Sequence, residues 1–237
     1  MRNVLTVAER EIKAYFASPV AYVVIAAFLV VTGYFFSLIM LGYRQATMRP
    51  VFDNVGIILL LLSPVLTMRL LSEEQRSGTI ELLLTAPVRD IEVVLGKFLA
   101  SLGFFLVMVG ATAYYPLLLW KLGNPESGPI IAGYVGLILF GATFLSVGLL
   151  ASSVTQNQIV AAVLAFVALL ILWMLDASTS LFSGSAASGV LRYVSLSQHS
   201  SDFGKGVIDT KDVVYYLSLV AACLFLTTRA LEARRWR

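Results

Sequence analysis

The chain has 237 residues, of which 59% are apolar and 13% charged, about half the roughly 25% usual for soluble domains. A mean hydropathy of +0.87 excludes disorder and a water-soluble globule, because a domain of this size still exposes roughly a quarter of its unfolded surface. The net charge of +3 is divided among short segments flanking apolar runs, which excludes a nucleic-acid surface, and the single Cys223 gives no disulfide framework.

Before the first apolar run, Val4, Leu5, Ala8, Ile12, Tyr15 and Phe16 recur at helical spacing, with Arg2, Glu9 and Lys13 on the other face. Residues 1–18 therefore read as an interfacial helix, ended by Ser18 and Pro19. Membrane spans follow from the intervals free of Asp, Glu, Lys and Arg, which are 14–43, 54–68, 98–120, 127–175 and 213–228. A helix needs roughly 20 residues to cross the hydrocarbon layer, so the 49-residue interval 127–175 holds two spans. Its turn is read at Ser152, Ser153, Thr155, Gln156, Asn157 and Gln158.

The expected spans are six, at approximately 20–42, 52–71, 97–120, 130–151, 159–177 and 212–229, and the fold class is an all-α, polytopic membrane protein in a single transmembrane domain, 1–237. For 52–71 a re-entrant hairpin broken at Pro64 is the structural alternative. The first run starts near residue 20 and is longer than a signal-peptide core, so it is expected to remain as an anchor. Placing both termini in the cytoplasm puts eleven Lys and Arg inside against six outside, and so favours that orientation.

The connection from Ser72 to Gly96 is the longest cytoplasmic segment. Ser72 and Gln75 have capping-box spacing, Gly78 offers a break, and Thr79 to Thr85 is a short apolar-faced helix halted by Pro87. Leu82, Leu83 and Leu84 either dip into the lipid interface or cover another protein, with Glu73, Glu74, Arg76 and Glu81 at the rim; a solvated hairpin is the plain alternative. Residues 176–211 form the longest external segment and hold the only histidine, His199; Asp209 followed by Asp212 starts the last span near 210. Gly103, Gly110, Gly136, Gly141 and Gly148 lie in the spans, where small residues let helices approach closely.

Several chemistries are missing. There is no G-x-x-x-x-G-K-[ST] nucleotide loop, no central Asp, Glu, His or Lys in a span to serve ion coupling, and no set of ligands for a metal. No catalytic, cofactor or metal site is expected on this chain. Six helices enclose little space, so a translocation path is expected where two such bundles meet.

The stretch EEQRSGTIELLLTAPV, with Glu73, Glu74, Arg76, Gly78, Thr79, Glu81, Leu82, Leu83 and Pro87, resembles the cytoplasmic loop of ABC transporter permeases of the ABC-2 superfamily. EIKAYFASPVAYVV, FGKGVIDTKDVVYYLS and the tail Arg234, Arg235, Trp236 resemble its gliding-motility-associated branch. The resemblance implies a permease subunit of an exporter in the cytoplasmic (inner) membrane, with Thr79 to Ala86 as a coupling helix that docks on a separate ATP-binding-cassette ATPase. It also implies ATP and Mg on that ATPase, and a second permease copy or a paralogous permease alongside membrane lipid. Two rival readings remain: a non-transporting scaffold or force-transmitting subunit coupled to an ATPase, and an intramembrane enzyme that uses His199.

Overall fold

A computed structural model describes residues 2–43, 47–79, 88–179 and 195–235, and all regular structure among them is helical. In chain order the helices are α1 (Arg2–Ala17), α2 (Pro19–Tyr43), α3 (Arg49–Thr67), α4 (Arg69–Ser77) and α5 (Asp90–Ala111). They continue with α6 (Tyr114–Leu122), α7 (Ser127–Val154), α8 (Gln158–Thr179), α9 (Leu196–Gly204) and α10 (Thr210–Arg235). Six stretches are long and apolar enough to cross a membrane: Pro19–Gly42, Arg49–Ser77, Asp90–Lys121, Ser127–Val154, Gln158–Leu175 and Thr210–Ala233. The protein is thus an all-α bundle of six transmembrane helices.

Helix α7 is the hub, packed by α3, α4, α5, α8, α9 and α10. Lipid is as apolar as leucine, so helices in a bilayer associate through close packing rather than through the hydrophobic effect. Glycines on α7 provide it. A Cβ at Gly141 would stand 2.3 Å from the Phe105 ring of α5, and one at Gly148 would stand 2.1 Å from Thr67 Oγ1 of α3. Gly136 receives Phe203 of α9 in the same way, whereas Gly110 of α5 faces open space and Gly103 leaves ordinary room beside Ile12. Of the five glycines singled out in the sequence, the three on α7 are therefore the seats of neighbouring side chains.

Two spanning helices are interrupted, each for a local chemical reason. Pro116 cannot donate to Thr112 and its ring crowds that carbonyl, so the third span breaks at Thr112–Ala113 between α5 and α6. The second span continues through Pro64, so no hairpin forms there. It breaks instead at Met68, where the amides of Leu71 and Ser72 both donate to Ser152 Oγ on α7, at 3.0 Å each, and Ser152 Oγ donates to Met68 O at 3.0 Å.

The serines at 152 and 153 therefore belong to the last turn of α7, and the turn itself is confined to Thr155–Asn157. Ser72 lies inside α4, not at a helix start; its hydroxyl donates to Met68 O, and Gln75 Nε2 donates to Ser153 O at 2.9 Å. Helices α4 and α5 also extend into the 72–96 segment from either side. α5 starts at Asp90, with Glu92 Oε2 accepting the Arg89 amide at 3.1 Å.

Helix α1 forms as an amphipathic helix and ends at Ala17, with Pro19 opening α2. It lies along α5 and runs in the same direction. Asn3 Nδ2 donates to Glu92 Oε2 at 3.1 Å, Val7 faces Gly96, and Tyr15 and Phe16 pack on Phe104 with ring centroids 5.1 and 5.6 Å away. Leu5 points out of the bundle, 65% exposed, unlike the rest of the expected apolar face.

At the far end from the termini, α9 is fastened to α10. His199 Nδ1 and Asp212 Oδ1 are 2.6 Å apart, the imidazole stacks on Tyr215, and Tyr216 donates its hydroxyl proton to Leu196 O at 3.0 Å. Gly141→Ala should lower stability by about 1–3 kcal/mol, because a methyl must displace the Phe105 ring. Gly110→Ala should be neutral or raise stability by up to about 1 kcal/mol through helix propensity. Thermal unfolding of the two variants in one detergent measures the contrast.

Candidate functional site

The end of the bundle nearest the chain termini carries a buried ion cluster. Lys97, about two turns into α5, is 1% exposed. Isolated, such an ammonium would cost several kcal/mol in a low-dielectric surrounding. Two carboxylates from distant elements meet it: Glu11 Oε1 of α1 at 3.0 Å and Glu74 Oε1 of α4 at 2.8 Å. Arg10 Nη2 donates to the same two oxygens, at 2.9 Å and 3.3 Å. One cation at the centre and one at the rim thus join three helices.

Burial raises the carboxyl affinity of Glu11 for a proton, but Lys97 and Arg10 outweigh it and hold the group below its ordinary value. Burial pushes the Tyr15 phenol up, so it stays a donor, and it donates to Leu66 O at 2.8 Å beside the Met68 break. A polar cavity of about 270 Å³ opens alongside, lined by residues that include Glu11, Tyr15, Arg69, Glu73, Glu74, Ser77, Thr79 and Lys97. Glu74 Oε2 is buried and has no hydrogen-bond partner among the described residues.

The residues singled out from the sequence fall into three groups. Glu73, Glu74 and Thr79 line the cavity together; Glu73 also pairs with Arg69 Nε at 3.5 Å, and Thr79 Oγ1 lies 2.8 Å from Ser77 Oγ. Arg76 is exposed in the last turn of α4, where a cation suits the helix dipole. Gly78 follows with φ of 71°, a left-handed cap that a side chain would strain. Glu81, Leu82, Leu83 and Pro87, with most of the expected coupling helix Thr79–Ala86, lie outside the described residues.

Glu11 and Lys97 are the functional residues that sequence reasoning passed over. Lys97 stands at the edge of the charge-free interval 98–120, and its partner Glu11 is 86 residues away. Glu11 carried one usable signal: unlike Glu9, whose exposed carboxylate pairs with Lys13 at 2.6 Å, it has no i+4 partner on its own helix.

The arrangement ties three helices together through charge, and no cluster of His, Cys, Asp or Glu among the described residues could hold a metal ion. The family comparison agrees in class. The chain belongs to the ABC-2 family transporter proteins, whose family model matches residues 41–198, two thirds of its length. It is therefore a multi-pass membrane permease component of an ABC transporter. No curated protein matches the chain.

Lys97→Met strands the Glu11 and Glu74 carboxylates and should cost about 3–5 kcal/mol, read as a lowered melting temperature in detergent. Glu9→Gln, which breaks a solvent-screened exposed pair, should leave the melting temperature essentially unchanged. Because the folded value for Glu11 lies below 4.5, its contribution is present above that pH and is lost as the pH falls through the folded value. Hydrogen exchange along α1 should accordingly be pH-insensitive near neutrality, after correction for intrinsic rates, and should accelerate only in acid below that point.

Proposed function

We propose that the protein is the permease subunit of an ATP-driven exporter of the cytoplasmic membrane, with both termini in the cytoplasm. A separate ATP-binding-cassette ATPase supplies the work, with ATP and Mg bound there, and grips the segment between α4 and α5. Two permease copies, or this chain and a paralogue, form the path between them. The observation that carries this reading is the cluster of Lys97, Glu11 and Glu74 next to the α4 terminus.

The mechanical logic follows from where α4 is fastened. A push on the loop after Gly78 is delivered to α4, which Lys97 links to α1 and α5 and which Ser152 and Ser153 link to α7. The breaks at Met68 and at Thr112–Ala113 are the places where the second and third spans can bend while the ends nearest the loop move as one body. Binding energy from nucleotide-driven closure of the ATPases then becomes helix tilt rather than local loop motion. The positive balance of eleven Lys and Arg against six supports the orientation.

The likeness to the gliding-motility-associated branch rests on EIKAYFASPVAYVV, FGKGVIDTKDVVYYLS and the basic tail, all beyond the matched residues, and is part of this proposal. Purification in mild detergent with mass identification of co-eluting chains is the direct test. An ATP-binding-cassette ATPase should co-elute with the natural chain. Leu83→Asp should lose it, and Glu81→Lys should retain folding but uncouple hydrolysis from transport. Natural binding and transport in both variants would remove the reading.

A further inference from the structure

The buried hydroxyls of Thr67, Thr143, Ser153 and Thr227 are bonded alike. They donate to Ser63 O, Leu139 O, Leu150 O and Cys223 O, so each returns its proton to a carbonyl three or four residues back on its own helix. Ser152, fully buried in the last turn of α7, instead reaches across to the second span. It donates to Met68 O at 3.0 Å and accepts the amides of Leu71 and Ser72, also at 3.0 Å. A hydroxyl has one proton to give and two lone pairs, and all three are used.

That hydroxyl stands inside a helix ladder. In an uninterrupted helix Leu71 donates to Thr67 O and Ser72 to Met68 O; here the Ser152 oxygen takes both amides. The backbone is otherwise ready to close, because Met68 has φ of −53° and ψ of −33°, ordinary right-handed helical values, and its own amide already donates to Pro64 O at 2.8 Å. Met68 O has two lone pairs, so it can receive the Ser72 amide while keeping the Ser72 hydroxyl that donates to it now. Serine is not β-branched, and rotation about χ1 alone can carry the Ser152 hydroxyl back to its own helix, where the carbonyl of Gly148 lies four residues earlier. The propped arrangement also carries a cost. Gln75, which ties α4 to Ser153 O through Nε2, leaves its Oε1 buried with no hydrogen-bond partner among the described residues.

We infer that Ser152 is a two-position latch that decides which neighbour α4 moves with. In the position seen here the hydroxyl props the ladder open, and α4 is tied to α7 through Ser152 and Ser153. With the hydroxyl turned back onto α7, the amides of Leu71 and Ser72 rejoin Thr67 O and Met68 O, and α3 and α4 become one continuous helix. A side chain inserted in the ladder bends a helix, so the two positions differ in the tilt of α4. The bond from Lys97 to Glu74 does not involve Ser152, so what the latch selects is attachment of α4 to α7 or to α3. The latch is built from three helices of one chain. The inference therefore goes beyond the exporter reading and stands whether or not an ATPase docks.

The test is hydrogen exchange on the full chain in dodecyl maltoside, resolved to single amides by mass-spectrometric fragmentation, with Leu59 and Leu60 of α3 as the internal reference. A latch and a fixed cap predict opposite signs for Ser152→Ala. Removing a latch leaves only the closed ladder, and exchange at Leu71 and Ser72 should slow by about tenfold against the reference. Removing a fixed cap deprives both amides of their acceptor, and their exchange quickens. Unchanged or faster exchange in a folded Ser152→Ala protein overturns the inference. Ser152→Cys, which keeps the shape but offers only a weak acceptor, should slow the same amides and decides alone if the alanine variant does not fold. Ser153→Ala removes a hydroxyl bonded within its own helix and should leave both amides unchanged. Slowing there equal to that in Ser152→Ala would show a general stiffening of α7 and would also overturn the inference.

Discussion

A lysine ammonium removed from water must be matched at once or it unfolds the surroundings that buried it, and Lys97 is matched by two carboxylates that come from opposite directions in the sequence. Hydrophobic contact tolerates sliding; a hydrogen-bonded charge does not. The position of α1 along α5, the height of α4 on the bundle and the orientation of the cavity that borders the coupling segment all follow from keeping three side chains within about 3 Å of one another. Pairs of this kind add little net stability compared with apolar residues of the same shape, so their physical contribution is registry. Registry is what the proposed transfer of motion from a partner ATPase requires.

The rest of the bundle is held by fit. α7 offers glycines where α3, α5 and α9 present Phe52, Thr67, Phe105 and Phe203, so each neighbour has its own seat and the order of helices around the hub is specified by size. At its last turn α7 changes method, and Ser152 takes two amides that the broken second span leaves unpaired. Close packing toward the middle and polar fastening at the end separate a stiff core from a terminus that can receive force. The same separation recurs at the opposite end, where His199 and Asp212 tie the short α9 to the last span.

The spans were legible because the bilayer penalises charge so heavily that gaps between charges approximate helices. That rule misleads wherever a charge is neutralised by something distant in sequence. Lys97 marks a boundary in the linear reading, yet the helix starts at Asp90, because Glu11 and Glu74 remove the reason for the boundary. Ser152 and Ser153 read as turn residues for their polarity, but their polarity serves the unpaired amides and carbonyls of the neighbouring span. Gly78 was legible, since only the residue type and a local backbone angle are involved. Of the residues proposed for coupling, Glu73, Glu74 and Thr79 converge on one cavity, a convergence that depends on tertiary partners no local pattern contains. Leu5 belongs to the apolar face read from helical spacing, and the width of the face covered by α5 leaves it outside the bundle.

The 86 residues that separate Glu11 from Lys97 also impose an order of assembly. Helix α1 leaves the ribosome before α5, and the groove that receives it exists only after two spans have been inserted and the third has begun. Until then its inward face has lipid or a chaperone as its only cover, and Glu11 retains its water. The N-terminal helix is thus early in synthesis and late in docking, and the arrival of Lys97 is the event that converts separately inserted hairpins into one cytoplasm-facing platform under the proposed orientation.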